Sequence, residues 1–155
     1  MSGVKQLTSS NLVKATNSDI PELIGFLIGM HDEAETLYPP YDKFLMSKFI
    51  KPIVANELCI LLKKDKKIIG AIGGQERRWW FSHNKYLGDA FFFIDKNERT
   101  YQNASALVKS FLNIANKKMI PCLLGTLDGK DLERKANFYN KLGLRQIGNV
   151  FADGV

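Results

Sequence analysis

The chain has 155 residues, enough for one hydrophobic core and too few for two. Apolar residues make up 45% and charged residues 25%, which excludes a disordered or fibrous chain. The formal charge is +6, yet lysines outnumber arginines 17 to 5. That balance speaks against dedicated nucleic-acid recognition, which leans on the planar guanidinium fork, and suits an anionic ligand such as a polyphosphate equally well.

The two cysteines, Cys59 and Cys122, both sit in apolar runs and read as buried, inert thiols. No Cys/His spacing suits a metal. The apolar stretch Leu23 to Met30 falls far short of the roughly 18–20 residues of a membrane span. It is flanked by Asp19, Glu22, Asp32 and Glu33 and lacks the basic lead of a signal peptide. The expectation is a cytoplasmic protein with no membrane partner. It forms one domain over residues 1–155, and residues 1–10 are a polar N-terminal arm.

In chain order, Leu12 to Thr16 reads as a short first strand. Asn17-Ser18-Asp19 with Pro21 starts a helix carrying Ile20, Leu23, Ile24, Leu27 and Ile28 at helical spacing, and Tyr38-Pro39-Pro40 closes that unit. A second helix carries Phe44, Leu45 and Phe49 and stops near Pro52. A hairpin follows: Leu58 to Leu62, the turn KKDKK, then Ile68 to Ile72. Gly70, Gly73 and Gly74 in its second arm predict a bulge or a close approach to the backbone. Trp79 to Phe81 extend that arm, and Ser82 to Lys85 form the next turn.

Ala90 to Ile94 reads as a central strand buried on both faces, because it does not alternate. After polar residues 95–103, Ala104, Leu107, Val108, Phe111, Leu112 and Ala115 mark an amphipathic helix. Ile120 to Leu124 is another strand. Leu132, Ala136, Tyr139 and Leu142 share one face of a last helix, with Gly143 at its C-cap. Leu144 to Ala152 leaves room for one or two terminal strands. The sum is an α/β (α+β) domain, a mixed sheet with helices on it.

Two segments carry a family resemblance. FFFI followed by Asp95 to Ala104 and an amphipathic helix resembles the pyrophosphate loop of the GCN5-related N-acetyltransferases, with Ile94, Arg99 and Ala104 in the strand, basic and small-residue positions. Helix N-terminal amides favour phosphate, which gives the motif its physics. Lys135 to Leu144 (KANFYNKLGL) resembles the family's "A..FYEKLGF" helix end. The resemblance spans residues 11–150. It departs at Lys96, where the family has proline, and at Gln102, where it has a glycine that lets backbone approach the pyrophosphate. The finer pattern looks most like bacteriophage-encoded acetyltransferase-type proteins.

The resemblance implies that the sheet is mostly antiparallel and flanked by about four helices. It also implies acetyl-CoA (coenzyme A) as cofactor, with affinity weakened at Gln102. Its pantetheine would lie along Phe92, Phe93 and Ile94. Its pyrophosphate would lie on Arg99, Thr100, Tyr101, Gln102, Asn103 and Ala104, with Asn137 close by. Tyr139 is either the acid for the leaving thiolate or a core aromatic. Asp89 is either a general base, sharing a face with Phe91 and Phe93, or a turn residue after Gly88. Glu76 is a second base candidate. Trp79-Trp80 lines an acceptor pocket or an interface. The implied reaction is transfer of acetyl to an unidentified amine, on a small molecule or a protein. The alternative is a protein that keeps the fold as a structural or interaction module in a larger assembly, such as a phage virion component acting in the virion or host cytoplasm.

Overall fold

Five strands and four helices follow one another in the computed structural model, which describes residues 10–34, 38–127 and 129–155. The order is β1 (Asn11–Lys14), α1 (Ile20–Glu33), α2 (Lys43–Ala55), β2 (Cys59–Lys64), β3 (Lys67–Arg78), β4 (Lys85–Ile94), α3 (Tyr101–Lys117), β5 (Cys122–Leu123) and α4 (Leu132–Lys141). The strands form one sheet in the order β1-β2-β3-β4-β5. The first three pairings are antiparallel, and β4 and β5, joined through α3, run parallel. This is the mixed α/β sheet expected from the element order, mostly antiparallel as the family resemblance implies. Most of the N-terminal arm, residues 1–9, lies outside the described residues.

Local chemistry explains most of the element ends. The Thr16 backbone N–H donates to the Asp19 carboxylate at 2.8 Å in a capping box ahead of α1. The other Asp19 oxygen accepts from Lys63 Nζ at 2.6 Å, fastening that helix start to β2. Asp65 and Lys66, with φ of 52° and 64°, form the two-residue turn whose twist suits a tight hairpin. At the end of α4, Gly143 takes φ 86°, and Leu144 N–H reaches back to Tyr139 O at 3.1 Å. Glycine fits there because a side chain at that φ meets the following carbonyl.

The glycines of β3 set the distance between layers. A Cβ on Gly70 would lie 2.8 Å from Leu107 Cδ1, and one on Gly74 would lie 2.7 Å from Phe111 Cζ. Their absence lets α3 press its Leu107, Val108 and Phe111 against the sheet. Gly73, the next residue over, accepts the Phe91 ring instead, 2.4 Å from where its Cβ would stand. Across that face Phe26 of α1 meets Phe93 at 5.1 Å between centroids. α1 and α3 thus cover opposite faces of the sheet.

Four sequence expectations need correction. The central, fully buried strand is β3, buried throughout Ile68–Gly74, whereas Phe92 and Phe93 of β4 are half-buried. The aromatic run mimics a central strand, but the half of β4 that carries it has a paired neighbour on one edge only. α2 runs three residues past Pro52 and buries Ile50, Ile53 and Val54, leaving Phe44 74% and Leu45 60% exposed. Two adjacent apolar stripes share helical spacing there, and a proline in the last turn forgoes a single hydrogen bond. Trp79 to Phe81 belong to the connection after β3 and not to the strand. No strand follows α4 among the described residues: Ile147, Val150 and Phe151 are exposed, and β5 is two residues long. Apolar residues at strand spacing need a ladder partner, which periodicity alone does not supply.

Two glycine substitutions should move stability in opposite directions. A Cβ on Gly74 would lie 2.1 Å from the Gly88 carbonyl oxygen, so Gly74→Ala should cost about 1–3 kcal/mol through forced backbone displacement. Gly25, inside α1, has nothing within 4 Å of its Cβ position, and Gly25→Ala should add about 0.5–1 kcal/mol. Urea denaturation of both variants reads the two signs; equal effects would mean that the layer spacing does not depend on Gly74.

Candidate active site

The site is a fork. β4 and β5 pair only at Leu87↔Cys122 and Gly88↔Leu123, and beyond them the ladder ends. On the other edge of β4, Phe91 lies opposite Gly73 while Asp89 lies opposite Gly74, so Ala90 is an extra residue and the strand bulges there. The bulge also breaks the alternation. Asp89 and Phe91 oppose consecutive β3 residues, so Asp89 does not share a face with Phe91 and Phe93 as simple alternation predicts.

Asp89 stands where the strands part. Its Oδ1 accepts the Gly125 backbone N–H at 3.1 Å, bridging the fork. Burial pushes the Asp89 carboxyl up to about 6, against the weaker opposing effects of the Gly125 N–H, its own backbone N–H and the Arg77 charge. Burial, with Asp89 second, also pushes the Cys122 thiol up to about 12, and burial does the same for Cys59. Neither thiol is a nucleophile near neutral pH, in keeping with the inert-thiol reading. A cavity of about 250 Å³ opens in front of Asp89, lined by Arg77, Trp79, Tyr86, Gly88, Leu123, Leu124 and Gly125. Apart from Asp89 and the Trp79 alternative, the sequence signal for this cluster is absent, because three separate segments meet only through strand register.

Glu76 is placed elsewhere. It accepts Lys118 Nζ at 2.8 Å and pairs with Lys85 Nζ at 3.5 Å, and the Lys118 hydrogen bond leads the effects that hold its carboxyl below the usual range. It lines a separate cavity of about 550 Å³ with Gln75, Lys118 and the end of α2.

Beyond β4 the chain turns through residues 95–100 into the N-terminus of α3. Thr100 caps α3, its Oγ1 accepting the Asn103 N–H at 3.1 Å, and Ala104 N–H bonds Thr100 O at 3.0 Å. Among the described residues, the Tyr101 and Gln102 amides have no partner, so they are the two donors offered to an anion. Gln102 and Tyr101 are exposed there. Arg99 is turned back: its Nε donates to Ile94 O at 2.8 Å, its Nη2 pairs with Glu33 at the end of α1, and its guanidinium carbon lies 5.2 Å from the Phe93 ring centroid. The Asn103 side chain donates to Glu98 O at 2.8 Å. Glu33 is a partner the sequence gave no reason to suspect.

α4 closes the far side. Phe138 meets Tyr101 edge-on at 6.0 Å and Tyr139 at 5.2 Å, so half-buried Tyr139 reaches the first turn of α3 through a chain of rings. Asn137, on the same helix, is exposed. Tyr38 Oη donates to Leu127 O at 2.7 Å, tying the α1–α2 connection to the segment leaving β5. Among the described residues no His/Cys/Asp/Glu cluster suits a metal, and no helix is long and apolar enough to cross a membrane.

No family model and no curated protein matches the chain by sequence. Solved structures match it by shape. A predicted acetyltransferase from Clostridium acetobutylicum with acetyl-CoA superposes with a TM-score of 0.75 at 16% identity, covering 94% of this chain and 96% of that one. An aminoglycoside N-acetyltransferase in complex with coenzyme A gives a TM-score of 0.74 at 13% identity, covering 97% of both chains. A Trypanosoma brucei acetyltransferase gives 0.70 at 15%, covering 95% and 100%. The chain therefore has the acetyltransferase fold along nearly its whole length.

The raised Asp89 carboxyl carries a stability signature. A carboxyl whose folded-state value lies above its unfolded value of about 3.9 makes the native state bind more protons, so stability falls as pH rises from about 4 through 6. Asp89→Asn keeps an acceptor for Gly125 and removes the buried charge. It should raise stability by about 2–3 kcal/mol at pH 7.5, with the gain gone by pH 4. Urea midpoints across that range check this; a gain independent of pH would show that Asp89 is not buried as an anion.

Proposed function

We propose that the chain is an acetyl-CoA-dependent N-acetyltransferase. The observation that carries this reading is the β4–β5 fork, with a carboxylate of raised pKa at its mouth and a capped helix N-terminus beyond its far end, in a fold shared with acetyltransferases. Acetyl-CoA would supply an activated acetyl thioester. The residues fit it in three places. The opened edge of β4 from Phe92 to Ile94 offers apolar wall and backbone groups with no strand opposite. The amides of Tyr101 and Gln102 offer donors and the helix dipole to a phosphate. Tyr139, on α4 beside Phe138, would serve the leaving thiolate.

This chain's own residues then divide the work. Asp89, ionised above about pH 6, accepts the proton of an acceptor ammonium held in the cavity before it, directly or through one water. Tyr139 holds a proton for sulfur. Glu76, held ionised by two lysines in another cavity, is the poorer base. A cytoplasmic place of action accords with this reading.

A second reading has a specific observation in its favour. Arg99 is spent on Glu33 and Ile94, and Thr100 occupies the Asn103 amide, so the anion site offers two backbone donors and no arginine already turned toward it. A fold-retaining structural or interaction module would show the same features. The phage affiliation, and with it a virion role, rests on sequence resemblance alone.

Incubation of the protein with acetyl-CoA and a panel of amines, with released thiol as readout, separates the two readings. Transfer is expected, with kcat rising through pH about 6 as Asp89 ionises. Tyr139→Phe should lower kcat by a factor of about 10²–10⁴ with little change in cofactor affinity. Gln102→Gly should tighten coenzyme A binding by titration calorimetry, because a Cβ at that position crowds the phosphate. No thiol release from any amine, together with no calorimetric binding by either protein, would replace the enzyme with the structural reading.

A further inference from the structure

The cavity before Asp89 is lined by two opposite charges, Asp89 and Arg77, that form no close ion pair. Arg77 lies over Gly88: its Cδ and Nε stand 3.6 and 3.7 Å from where a Gly88 Cβ would be, and the Tyr86 ring stands 3.4 Å from the same point. Glycine at 88 is thus the floor of a slot with a guanidinium on one side and an aromatic ring on the other. Trp79 closes the slot, its ring 4.7 Å from Tyr86 and 5.8 Å from Phe81, centroid to centroid. Among the described residues no carboxylate lies within 4.0 Å of the Arg77 guanidinium, Asp89 included.

Two residues of opposite sign that line one small cavity without a close ion pair between them suit a ligand carrying the complementary pair. We propose that the slot formed by Arg77, Trp79, Tyr86, Gly88 and Asp89 selects a small amine that also bears a carboxylate, its ammonium at Asp89, its carboxylate on Arg77 and its apolar body against Trp79 and Tyr86. At about 250 Å³ the cavity is smaller than the roughly 300–1,000 Å³ of drug-sized sites, which sets the occupant at amino-acid size. A planar guanidinium donates paired hydrogen bonds to a carboxylate, and aromatic faces take both aliphatic and ring surfaces. A polyamine or an aminoglycoside-like polycation would place positive charge against Arg77, and the slot rejects it. The assignment of this ligand as the acetyl acceptor rests on the acetyltransferase reading; the selectivity of the slot does not.

The test uses intrinsic fluorescence. The chain has two tryptophans, and Trp80, 93% exposed and outside the slot, is replaced in a Trp80→Phe background so that Trp79 alone reports. Phenylalanine, its methyl ester (amine without carboxylate) and 3-phenylpropionate (carboxylate without amine) are titrated at pH 7.5. Phenylalanine should bind at least about tenfold tighter than either analogue, as expected for a charge-assisted hydrogen bond gained at each end. Arg77→Ala, at an exposed position where folding is not at stake, should bring phenylalanine down to the level of its ester and leave the ester unchanged. Equal binding of all three probes, no binding of any, or an equal loss for phenylalanine and its ester in Arg77→Ala would each overturn the proposal. Thiol release from acetyl-CoA with the same probes separates the two claims. Selective binding without transfer removes the acetyltransferase reading and keeps the slot. Transfer to phenylalanine and its ester with equal kcat/KM keeps the reading and removes the slot.

Discussion

The candidate site depends on β4 leaving β5 after two residue pairs. A parallel ladder satisfies the backbone groups of both strands, so ending it early exposes N–H and C=O groups that need other partners. The chain meets part of that cost with the Asp89 side chain, whose Oδ1 takes the Gly125 N–H that no strand neighbour serves. Ala90, the extra residue next to it, bends β4 at the same level. One carboxylate therefore both bridges the fork and sits at its mouth, and its burial pushes its pKa up to about 6.

The rest of the molecule keeps that fork rigid. β3 pairs with β4 along its other edge, and its three glycines let α3 and the Phe91 ring come close against it. α3 in turn carries the chain from the end of β4 to the start of β5, so the pressure of Leu107 and Phe111 on β3 fixes where its N-terminus points. The Tyr38–Leu127 bond and the Tyr101–Phe138 contact join the loops around the opening. At the helix N-terminus itself the chain is self-contained. Thr100 caps, Arg99 folds back onto Glu33, and an incoming phosphate meets two free amides and no arginine already turned toward it. Any gain from Arg99 would require breaking a charge-assisted pair, which lowers the net affinity a cofactor can draw from this loop.

The sequence showed the architecture more fully than the site. Helical spacing located α1, α3 and α4, and Gly143 and the 17–21 cluster marked ends that the backbone confirms. The glycines of β3 announced a bulge and a close approach, and both are present. AFFFI misled because an apolar aromatic run has the same signature whether it is central or beside an opened edge. The terminal strands misled because pattern can permit a strand without providing a ladder. Within the site, Asp89 was readable from its place before the aromatic run. Arg77, Tyr86 and Gly125 were not, since register across β3, β4 and β5 brings them together and no spacing in one segment encodes it. The Arg99–Glu33 pair spans 66 positions and was equally silent.

Amide hydrogen exchange with and without coenzyme A tests the central claim most directly, because it reads location as well as binding. The account predicts slowed exchange confined to the opened edge of β4, residues 89–94, and to the amides of Tyr101 and Gln102, with the buried β3 ladder unchanged. Unchanged exchange at the fork in the presence of saturating coenzyme A, or protection centred on the Glu76 cavity instead, would contradict it.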